Sequence, residues 1–353
     1  MQKTENTNNI ITWRMPAEWE EHQATLLSFP HEGRDWPGKF GAIQWAFVEI
    51  IRKVAQYEPV ILIVKSKEHQ AKVLEMLNRA HANVSAISFI ECDTNRNWMR
   101  DSGPIIVKDG NKRQALKFGF NGWAKYPNYR KDLKIPGKVA EFLGIDLIEV
   151  KHKGRPVVLE GGAIDVNGCG TLLTTEECLL SKEVQVRNPG FTKEDYETVF
   201  YKYLGITKVI WLSEGIQGDD THGHVDDIAR FVNPNTIIAC TENEEGDYNH
   251  KKLAINLEIL QNSQLQDGSR PEIVKLPMPG RINFEDMRLP ASYINFLILN
   301  NCVLVPTFND KNDYKAIGIV NELFPERDVI GINATDLIWG LGTIHCLSHE
   351  IVK

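Results

Sequence analysis

The segment Ile228–Cys240, which reads IARFVNPNTIIAC, decides the fold class. Its apolar and β-branched runs, Ile228–Val232 and Thr236–Cys240, flank the turn formers 233–235, so the segment predicts two strands joined by a tight turn. A helical pattern over His250–Asn262 follows this pair. Paired strands followed by one helix and another strand indicate a repeated mixed α/β unit.

The alternation of strands and helices extends in both directions from this segment. The other predicted helices are Phe40–Tyr57, Ser66–Ala80, Lys138–Leu143, Lys193–Leu204 and Asp313–Phe324. The other predicted strands are Ala24–Phe29, Pro59–Val64, Val84–Ile90, Pro104–Val107, Lys208–Leu212, Ile294–Leu299 and Val303–Pro306, with a polar loop over Asp93–Asp101. No G-x-G-x-x-G or Walker-type loop follows a strand, which argues against a nucleotide site.

Composition excludes several classes of protein. The 353 residues are 42% hydrophobic and 25% charged, and no linker-like stretch interrupts them, so we expect one globular domain over 13–353 after a tail of residues 1–12. The net charge of -7 and pI near 5.9 argue against nucleic-acid binding and favour a small cationic partner. The chain has no apolar leader and no stretch approaching the roughly 20 apolar residues of a membrane span, so we expect a cytoplasmic protein without membrane contact.

The six cysteines are dispersed and form no C-x-x-C pair, so neither a disulfide framework nor a structural zinc site is predicted. Most are expected to be buried thiols, as at Cys92, Cys178, Cys240 and Cys302. Cys346 differs because it follows a Gly-x-Gly turn, which lets a substrate or a neighbouring backbone approach the sulfur. A buried structural thiol and a nucleophile are both compatible with that setting.

Four segments concentrate polar residues among apolar strands. They are Asn97–Pro104, Leu159–Gly162, Asp219–Asp227 and Gly340–Cys346. Together they supply a thiol, histidines and carboxylates, which is the set of groups that a nucleophilic enzyme with a cationic substrate needs.

The third segment carries the sequence H-x-H-x-D. If Thr221–Phe231 is extended, His222, His224 and Asp226 share one face of a strand and could transfer protons beside a cation. The same pattern could ligate zinc, or the histidines could be structural. Against a metal, His345 and Cys346 would point in opposite directions on a strand and could not easily converge on one ion.

Two carboxylates stand out in the other segments. Asp101 lies beside Arg100 at the end of the predicted loop, where an ion pair or a cap is an alternative to a functional role. Glu160 ends an apolar strand and precedes two glycines, so we expect it to be partly buried and to need a partner or a cationic ligand.

In this order, the segments resemble the agmatine deiminase family, which is related to the bacterial peptidyl-arginine deiminases within the guanidino-group-modifying superfamily. The matching motifs are Met15–Glu20, Trp98-x-Arg100-Asp101-x-Gly103-Pro104, Glu160-Gly161-Gly162, Gly223–Asp226, Leu289–Phe296 and Gly342-x-Ile344-His345-Cys346. The resemblance implies a five-bladed α/β propeller (pentein) built from ββαβ-like units. It implies hydrolysis of agmatine to N-carbamoylputrescine and ammonia, a step toward putrescine and other polyamines, without a metal or an organic cofactor.

The resemblance also implies roles for the matching residues. Cys346 would be the nucleophile, His224 the general acid and base, and Asp101 and Asp226 the carboxylates that bind the guanidinium, with assistance from Glu160. Trp98 could pack on the aliphatic chain, and Asp219 or Asp220 could receive the terminal ammonium. A core tryptophan and a solvated acidic loop are the alternative interpretations of these last three residues.

Three departures from the family pattern leave the amine end of the substrate open. His222 stands where many agmatine deiminases have Asn, Leu341 interrupts the usual triple glycine, and Asp219 stands where a plant-like pattern has Glu. The alternatives are deimination of arginine or of arginine in a peptide by the same chemistry, and a guanidine- or polyamine-binding protein without turnover. We expect a homodimer.

Overall fold

The computed structural model describes residues 13–353, and the predicted tail 1–12 lies outside the described residues. The helices are α1 Phe40–Tyr57, α2 Lys67–Arg79, α3 Met99–Ser102, α4 Ile135–Leu143, α5 Glu176–Leu180, α6 Lys193–Leu204, α7 Tyr248–Asn262, α8 Asp313–Leu323 and α9 Ile344–Leu347. The first ten strands are β1 His22–Ser28, β2 Val60–Val64, β3 Ile87–Glu91, β4 Ile105–Asp109, β5 Lys112–Lys117, β6 Asp146–Glu149, β7 Lys151–His152, β8 Arg155–Pro156, β9 Asp165–Val166 and β10 Thr171–Thr175. The others are β11 Lys208–Leu212, β12 Ala229–Asn233, β13 Thr236–Thr241, β14 Glu272–Pro277, β15 Asn283–Phe284, β16 Met287–Arg288, β17 Leu297–Ile298, β18 Cys302–Thr307, β19 Asp328–Asn333 and β20 Ser348–Val352.

Five sheets repeat one pairing pattern, in which an antiparallel pair is extended by a parallel neighbour. Their strand orders are β20-β1-β2-β3, β4-β5-β6, β9-β10-β11, β12-β13-β14 and β17-β18-β19. In each sheet at least one helix connects the central strand to its parallel neighbour, as α1 does between β1 and β2. The α/β class and the repeated unit predicted from Ile228–Cys240 are therefore confirmed, and β1 pairs with β20, the last of the strands given above.

The local sequence explains these elements. The turn after β12 sets a register in which Phe231 lies opposite Ile237, and the apolar stripe of α1, including Phe47 and Val54, is buried. The first turn of α6 has a capping box formed by Thr192 and Asp195, and the helix ends at Gly205 in the left-handed conformation. Predicted helix bounds agree with the structure where such signals exist.

Four sequence-based expectations need correction. The segment Thr221–Phe231 is not extended, because 225–227 form a 3-10 turn and β12 begins only at Ala229. His345 and Cys346 lie on the short helix α9 instead of a strand. The predicted loop Asp93–Asp101 ends inside α3, and the strand predicted over Ile294–Leu299 is reduced to β17.

One large apolar core contains buried side chains from most of the described chain, from Leu27 to Leu347. Two smaller clusters pack around Tyr196 and around Ile63. Among residues 13–353, no helix combines the length and the apolar character that a membrane crossing needs. The core fixes the strand ends and turns that carry the polar segments.

Candidate active site

A cavity of about 350 Å³ brings several of the polar segments together. Its wall includes Cys346 and Asp101, and its aromatic lining consists of Trp98, Trp123, Tyr126, Phe284 and Trp339. Carboxylates beside aromatic faces suit an organic cation with an aliphatic chain, because the charge finds counter-ions and the methylenes find apolar surface.

Cys346 lies on α9, directly after a tight turn. Leu341 has φ of 70°, a conformation that costs a non-glycine residue about 1–2 kcal/mol. A Cβ at Gly342 would lie 2.7 Å from the Trp98 ring, so only glycine lets the turn pack on this wall of the cavity. Cys346 is 8% exposed, and its sulfur lies 3.7 Å from Asp226 Oδ2.

His224 and Asp226 belong to the turn before β12, and His222 does not join them. His222 has φ of 67° and turns toward Glu177, with 3.6 Å between Nδ1 and Oε1. Asn tolerates that backbone conformation better than most residues, which gives a structural reason for Asn at this place in the family pattern. The three residues predicted to share one face are therefore split, and only His224 and Asp226 reach the site.

His224 lies among three carboxylates. Its Nδ1 is 3.8 Å from Asp101 Oδ1 and 3.9 Å from Asp226 Oδ1, and its Nε2 is 4.0 Å from Glu160 Oε2. A Cβ at Gly162 would lie 2.6 Å from His224 Nδ1, so only a glycine at this position leaves room for the imidazole. The four residues predicted to hold the guanidinium and move its protons are thus brought together.

Asp101 and Glu160 are both buried and both have specific partners. Asp101 accepts hydrogen bonds from the Trp123 indole at 2.8 Å and from the Gly162 amide at 3.1 Å. Glu160 accepts one from Arg187 Nε at 3.0 Å, and neither side chain of that ion pair is exposed. The expectation that Glu160 is buried with a cationic partner is confirmed.

The burial and the charges shift the proton affinities of the site. Burial raises the pKa of Asp101 to about 6. Burial opposes a charged His224, but the negative charge of Asp101, the neighbouring Cys178 and the negative charge of Asp226 raise its pKa well above the usual value. Burial, reinforced by the carboxylates of Asp226, Asp227 and Asp101, raises the pKa of the Cys346 thiol well above its usual value. The protein groups around the sulfur therefore favour a neutral thiol.

The residues predicted to bind the rest of the substrate differ in their placement. Trp98 and Asp220 line the cavity. Asp220 is paired with Lys125 at 2.5 Å and accepts a hydrogen bond from the Tyr126 hydroxyl at 2.7 Å. Asp219 does not line the cavity. Its oxygens accept hydrogen bonds from the backbone amides of Thr221, Gly223 and His224, which stabilise the turn before β12. The structure does not support Asp219 as the ammonium receptor.

The described residues include two groups that could each hold a metal ion. The first group consists of Glu160, Cys178 and His224, and the second consists of Asp226, Asp227 and Cys346. Both include residues predicted to transfer protons or to act as the nucleophile, so an ion there would occupy groups that the predicted covalent chemistry needs. His345 and Cys346, expected to diverge, both reach Asp226 Oδ2, at 2.7 and 3.7 Å. That the site uses no metal stays a prediction.

Four residues of the site received no role from the sequence. Asp35 accepts a hydrogen bond from Trp98 Nε1 at 3.0 Å, and Trp123 and Arg187 hold Asp101 and Glu160. Asn295 contacts the Cys346 sulfur. Only Asn295 lay inside a quoted motif, Leu289–Phe296, and no feature of one sequence distinguishes the other three from ordinary core or loop residues.

Comparison with known proteins gives one consistent set of relatives. The family model of Porphyromonas-type peptidyl-arginine deiminases matches residues 14–351. The agmatine deiminase of Pseudomonas syringae pv. syringae is 33% identical, over 96% of this chain and 95% of its own. The solved C. jejuni agmatine deiminase with substrate bound is 30% identical with a TM-score of 0.86, covering 97% of this chain and 96% of that one. The agmatine deiminase of Enterococcus faecalis has a TM-score of 0.88 at 28% identity, with the same coverage.

Proposed function

The chain belongs to the Porphyromonas-type peptidyl-arginine deiminase family, as its motifs predicted, and we propose that it hydrolyses agmatine to N-carbamoylputrescine and ammonia. Relatives named agmatine deiminase match nearly its full length. The observation that carries the proposal is the constellation around His224, where three buried carboxylates surround the imidazole, while one of them, Asp101, lines an aromatic cavity together with Cys346.

Unpartnered carboxylate oxygens around His224 match the donors of a guanidinium. Within residues 13–353, Asp226 Oδ1, Glu160 Oε2 and His224 Nε2 are buried without a hydrogen-bond partner. Leaving such atoms unpaired costs free energy, and a planar cation rich in N–H groups would satisfy the carboxylate oxygens by charge-assisted hydrogen bonds. Asp101, fixed by Trp123 and Gly162, would supply a further carboxylate.

The chemistry then proceeds in two stages. The Cys346 thiolate attacks the guanidinium carbon, a C–S bond forms, and the C–N bond breaks as His224 passes a proton to the departing ammonia. Water, deprotonated by the same histidine, attacks the S-alkylthiouronium carbon and releases the thiol and the urea product. Agmatine and one water thus give N-carbamoylputrescine and one ammonia, without a redox step.

The charge balance gives a reason for using a cationic substrate. The carboxylates that raise the pKa of Cys346 are the ones that a bound guanidinium would neutralise. The substrate would therefore lower the thiol pKa at the moment when a thiolate is required. A neutral or anionic ligand would not have this effect.

The far end of the cavity leaves a second substrate class to be tested. Trp98 would pack on the aliphatic chain, and Asp220 would lie nearest a terminal ammonium. Arg34 and Arg96 also line this end, and a guanidinium there could pair with the α-carboxylate of arginine. Arg96, however, already pairs with Asp35, and Arg34 pairs with Glu32. Each arginine of the lining thus has a carboxylate partner among residues 13–353, which favours agmatine.

Ammonia release tests the proposal. Purified protein is assayed with agmatine, arginine and a blocked arginyl peptide, with and without a chelator, beside Cys346→Ala. Agmatine-selective turnover that survives the chelator and is lost in the variant is expected. Preference for arginine or the peptide would overturn the substrate, binding without ammonia release would indicate a binding protein, and loss of activity with chelator alone would indicate a metal.

We also infer that the five sheet units form the blades of one α/β propeller over 13–353, a single catalytic domain. The shared pairing pattern and the continuous core support this arrangement. A single cooperative urea transition, seen alike by fluorescence and circular dichroism, would test the single domain. The proposed homodimer and cytoplasmic location call for light scattering and for cell fractionation.

A further inference from the structure

Resting on the proposed function, we propose that Asn295 is a catalytic residue, whose side-chain amide donates a hydrogen bond to the Cys346 sulfur and stabilises it as the thiolate. Asn295 is 1% exposed, and its Nδ2 lies 3.1 Å from Cys346 Sγ. Among the residues that the structure describes, no other group donates a hydrogen bond to that sulfur.

The neighbours of Asn295 fix which way its amide points. Its Oδ1 accepts the Thr343 hydroxyl at 2.7 Å and the backbone amides of His345 and Cys346 at 3.2 and 3.3 Å. Exchanging the oxygen and nitrogen would aim N–H groups at these amides and an oxygen at the carboxylates of Asp226 and Asp227. The assignment is therefore determined by chemistry.

The amide has more acceptors than hydrogens. Nδ2 lies 3.3 Å from Asp226 Oδ2, 3.5 Å from the Asp226 carbonyl oxygen and 3.1 Å from Asp227 Oδ1, besides the sulfur. Two hydrogens serve these four atoms. Asp226 Oδ2 already has a contact with His345 Nδ1 at 2.7 Å, and the Asp226 carbonyl is the most distant of the four, so the sulfur and Asp227 are left as the atoms that depend on Asn295.

A hydrogen-bond donor beside the Cys346 sulfur offsets the unfavourable electrostatics of forming a thiolate in this site. The sulfur is buried and faces carboxylates, so a negative charge on it is disfavoured until a cation arrives. A fixed N–H aimed at the developing charge needs no reorganisation when the thiolate forms, and a single donor of this kind commonly contributes about 100- to 1,000-fold in rate. The same side chain also accepts hydrogen bonds from the turn that carries the sulfur, so Asn295 both positions the sulfur and stabilises its negative charge.

Asn295→Asp keeps an acceptor oxygen for the 343–346 turn, removes the donor and adds a carboxyl group, so the charge-free variant Asn295→Ala is needed beside it. Asn295→Ala removes both the acceptor and the donor. Asn256→Ala is the matched control, since Asn256 is equally buried and bonds the Ser213 amide at 2.8 Å and the Glu214 carbonyl at 2.7 Å, away from Cys346. All variants carry Cys169→Ser, which removes the exposed thiol.

The first readout does not need turnover. Iodoacetamide alkylates a thiolate with loss of iodide, so the rate at Cys346, followed by intact mass against pH, reports thiolate formation. We expect alkylation at pH 8 to slow by about tenfold or more in both Asn295 variants, with the midpoint moved to higher pH, because one donor is lost. Asn256→Ala should match the parent within about twofold. A parental alkylation profile in either folded Asn295 variant would overturn the proposal.

The second readout is kinetic, and the third uses the parent protein. With agmatine, kcat should fall about 100-fold or more while KM changes little, since the contact forms with the reacting sulfur. In the parent protein, the Asn295 carboxamide resonances of a 15N-asparagine-labelled sample should change with pH, with the same midpoint as the alkylation of Cys346. In Cys346→Ala these resonances should not change over that pH range. Resonances unaffected by Cys346 titration would refute the donor role even if neither variant folds. Altered alkylation without agmatine turnover in the parent would keep this assignment and reject the substrate.

Discussion

Replacing Arg187 with methionine should destabilise the fold strongly, because it leaves a buried carboxylate without a counter-ion. Arg187 Nε donates to Glu160 at 3.0 Å, and its two terminal nitrogens donate to the carbonyls of Gln185 at 2.9 Å and Thr221 at 2.5 Å. Removing one partner of a buried pair costs about 3–5 kcal/mol. We therefore expect Arg187→Met to lose about that much free energy of unfolding in urea titrations followed by fluorescence.

The control is Arg52→Met, which breaks a partly exposed pair with Glu49 on the surface of α1. Such a pair contributes about 0–1 kcal/mol. If the buried charge is the cause, adding Glu160→Gln to Arg187→Met should restore about 2 kcal/mol or more, since the unpaired carboxylate disappears. A loss below about 1 kcal/mol in Arg187→Met, or a double variant no more stable than the single one, would refute this account.

Three further changes test the walls of the site. Because the pKa of Asp101 in the folded protein is about 6 and its carboxylate is needed, kcat/KM should fall about tenfold per pH unit below pH 6; a profile flat down to pH 5 would contradict this. Raising the pH from about 4 to 6 should also reduce the free energy of unfolding, because the unfolded state gives up this proton at lower pH than the folded state. Gly162→Ala should reduce kcat/KM about 100-fold by displacing His224, whereas Gly318→Ala, in open space on α8, should keep full activity and thermal stability. Trp123→Phe, which removes the donor to Asp101, should cost about 1.5–3 kcal/mol in kcat/KM, and Trp339→Phe in the same cavity should cost less.

Sequence patterns were reliable where one local signal decides the structure. The apolar stripe of α1 and the capping residues of α6 set their ends, and the strand pairs on both sides of short turns were visible in Ile228–Cys240. The prediction for Thr221–Phe231 was wrong because alternation was assumed where His222 and Gly223 adopt positive φ. Alternating polar residues do not reveal such a turn, since the bonds that hold it come from Asp219.

The site itself was predictable only in part, and the reason is the range of the contacts. Cys346, His224, Asp101, Asp226 and Glu160 stood out because polar side chains among apolar strands require an explanation. Arg187 and Trp123 did not, because an arginine in a loop and a tryptophan after a glycine have many structural uses. Their roles depend on contacts that only the packed sheets create.

The motif Met15–Glu20 shows why a segment outside the cavity can belong to the functional pattern. Glu18 Oε2 lies 2.8 Å from His345 Nε2 and 2.6 Å from Arg230 Nη2, and His345 Nδ1 lies 2.7 Å from Asp226 Oδ2. Burial opposes the charge on Glu18 and Asp226, but the cations around them keep the pKa of both low. Both ring nitrogens of His345 thus lie within hydrogen-bond distance of carboxylate oxygens, and these two contacts fix the orientation of the ring. Glu18 thereby fixes the imidazole that holds Asp226 Oδ2 and leaves Oδ1 without a partner among the described residues, so a change at Glu18 should act on the proposed guanidinium binding without direct contact.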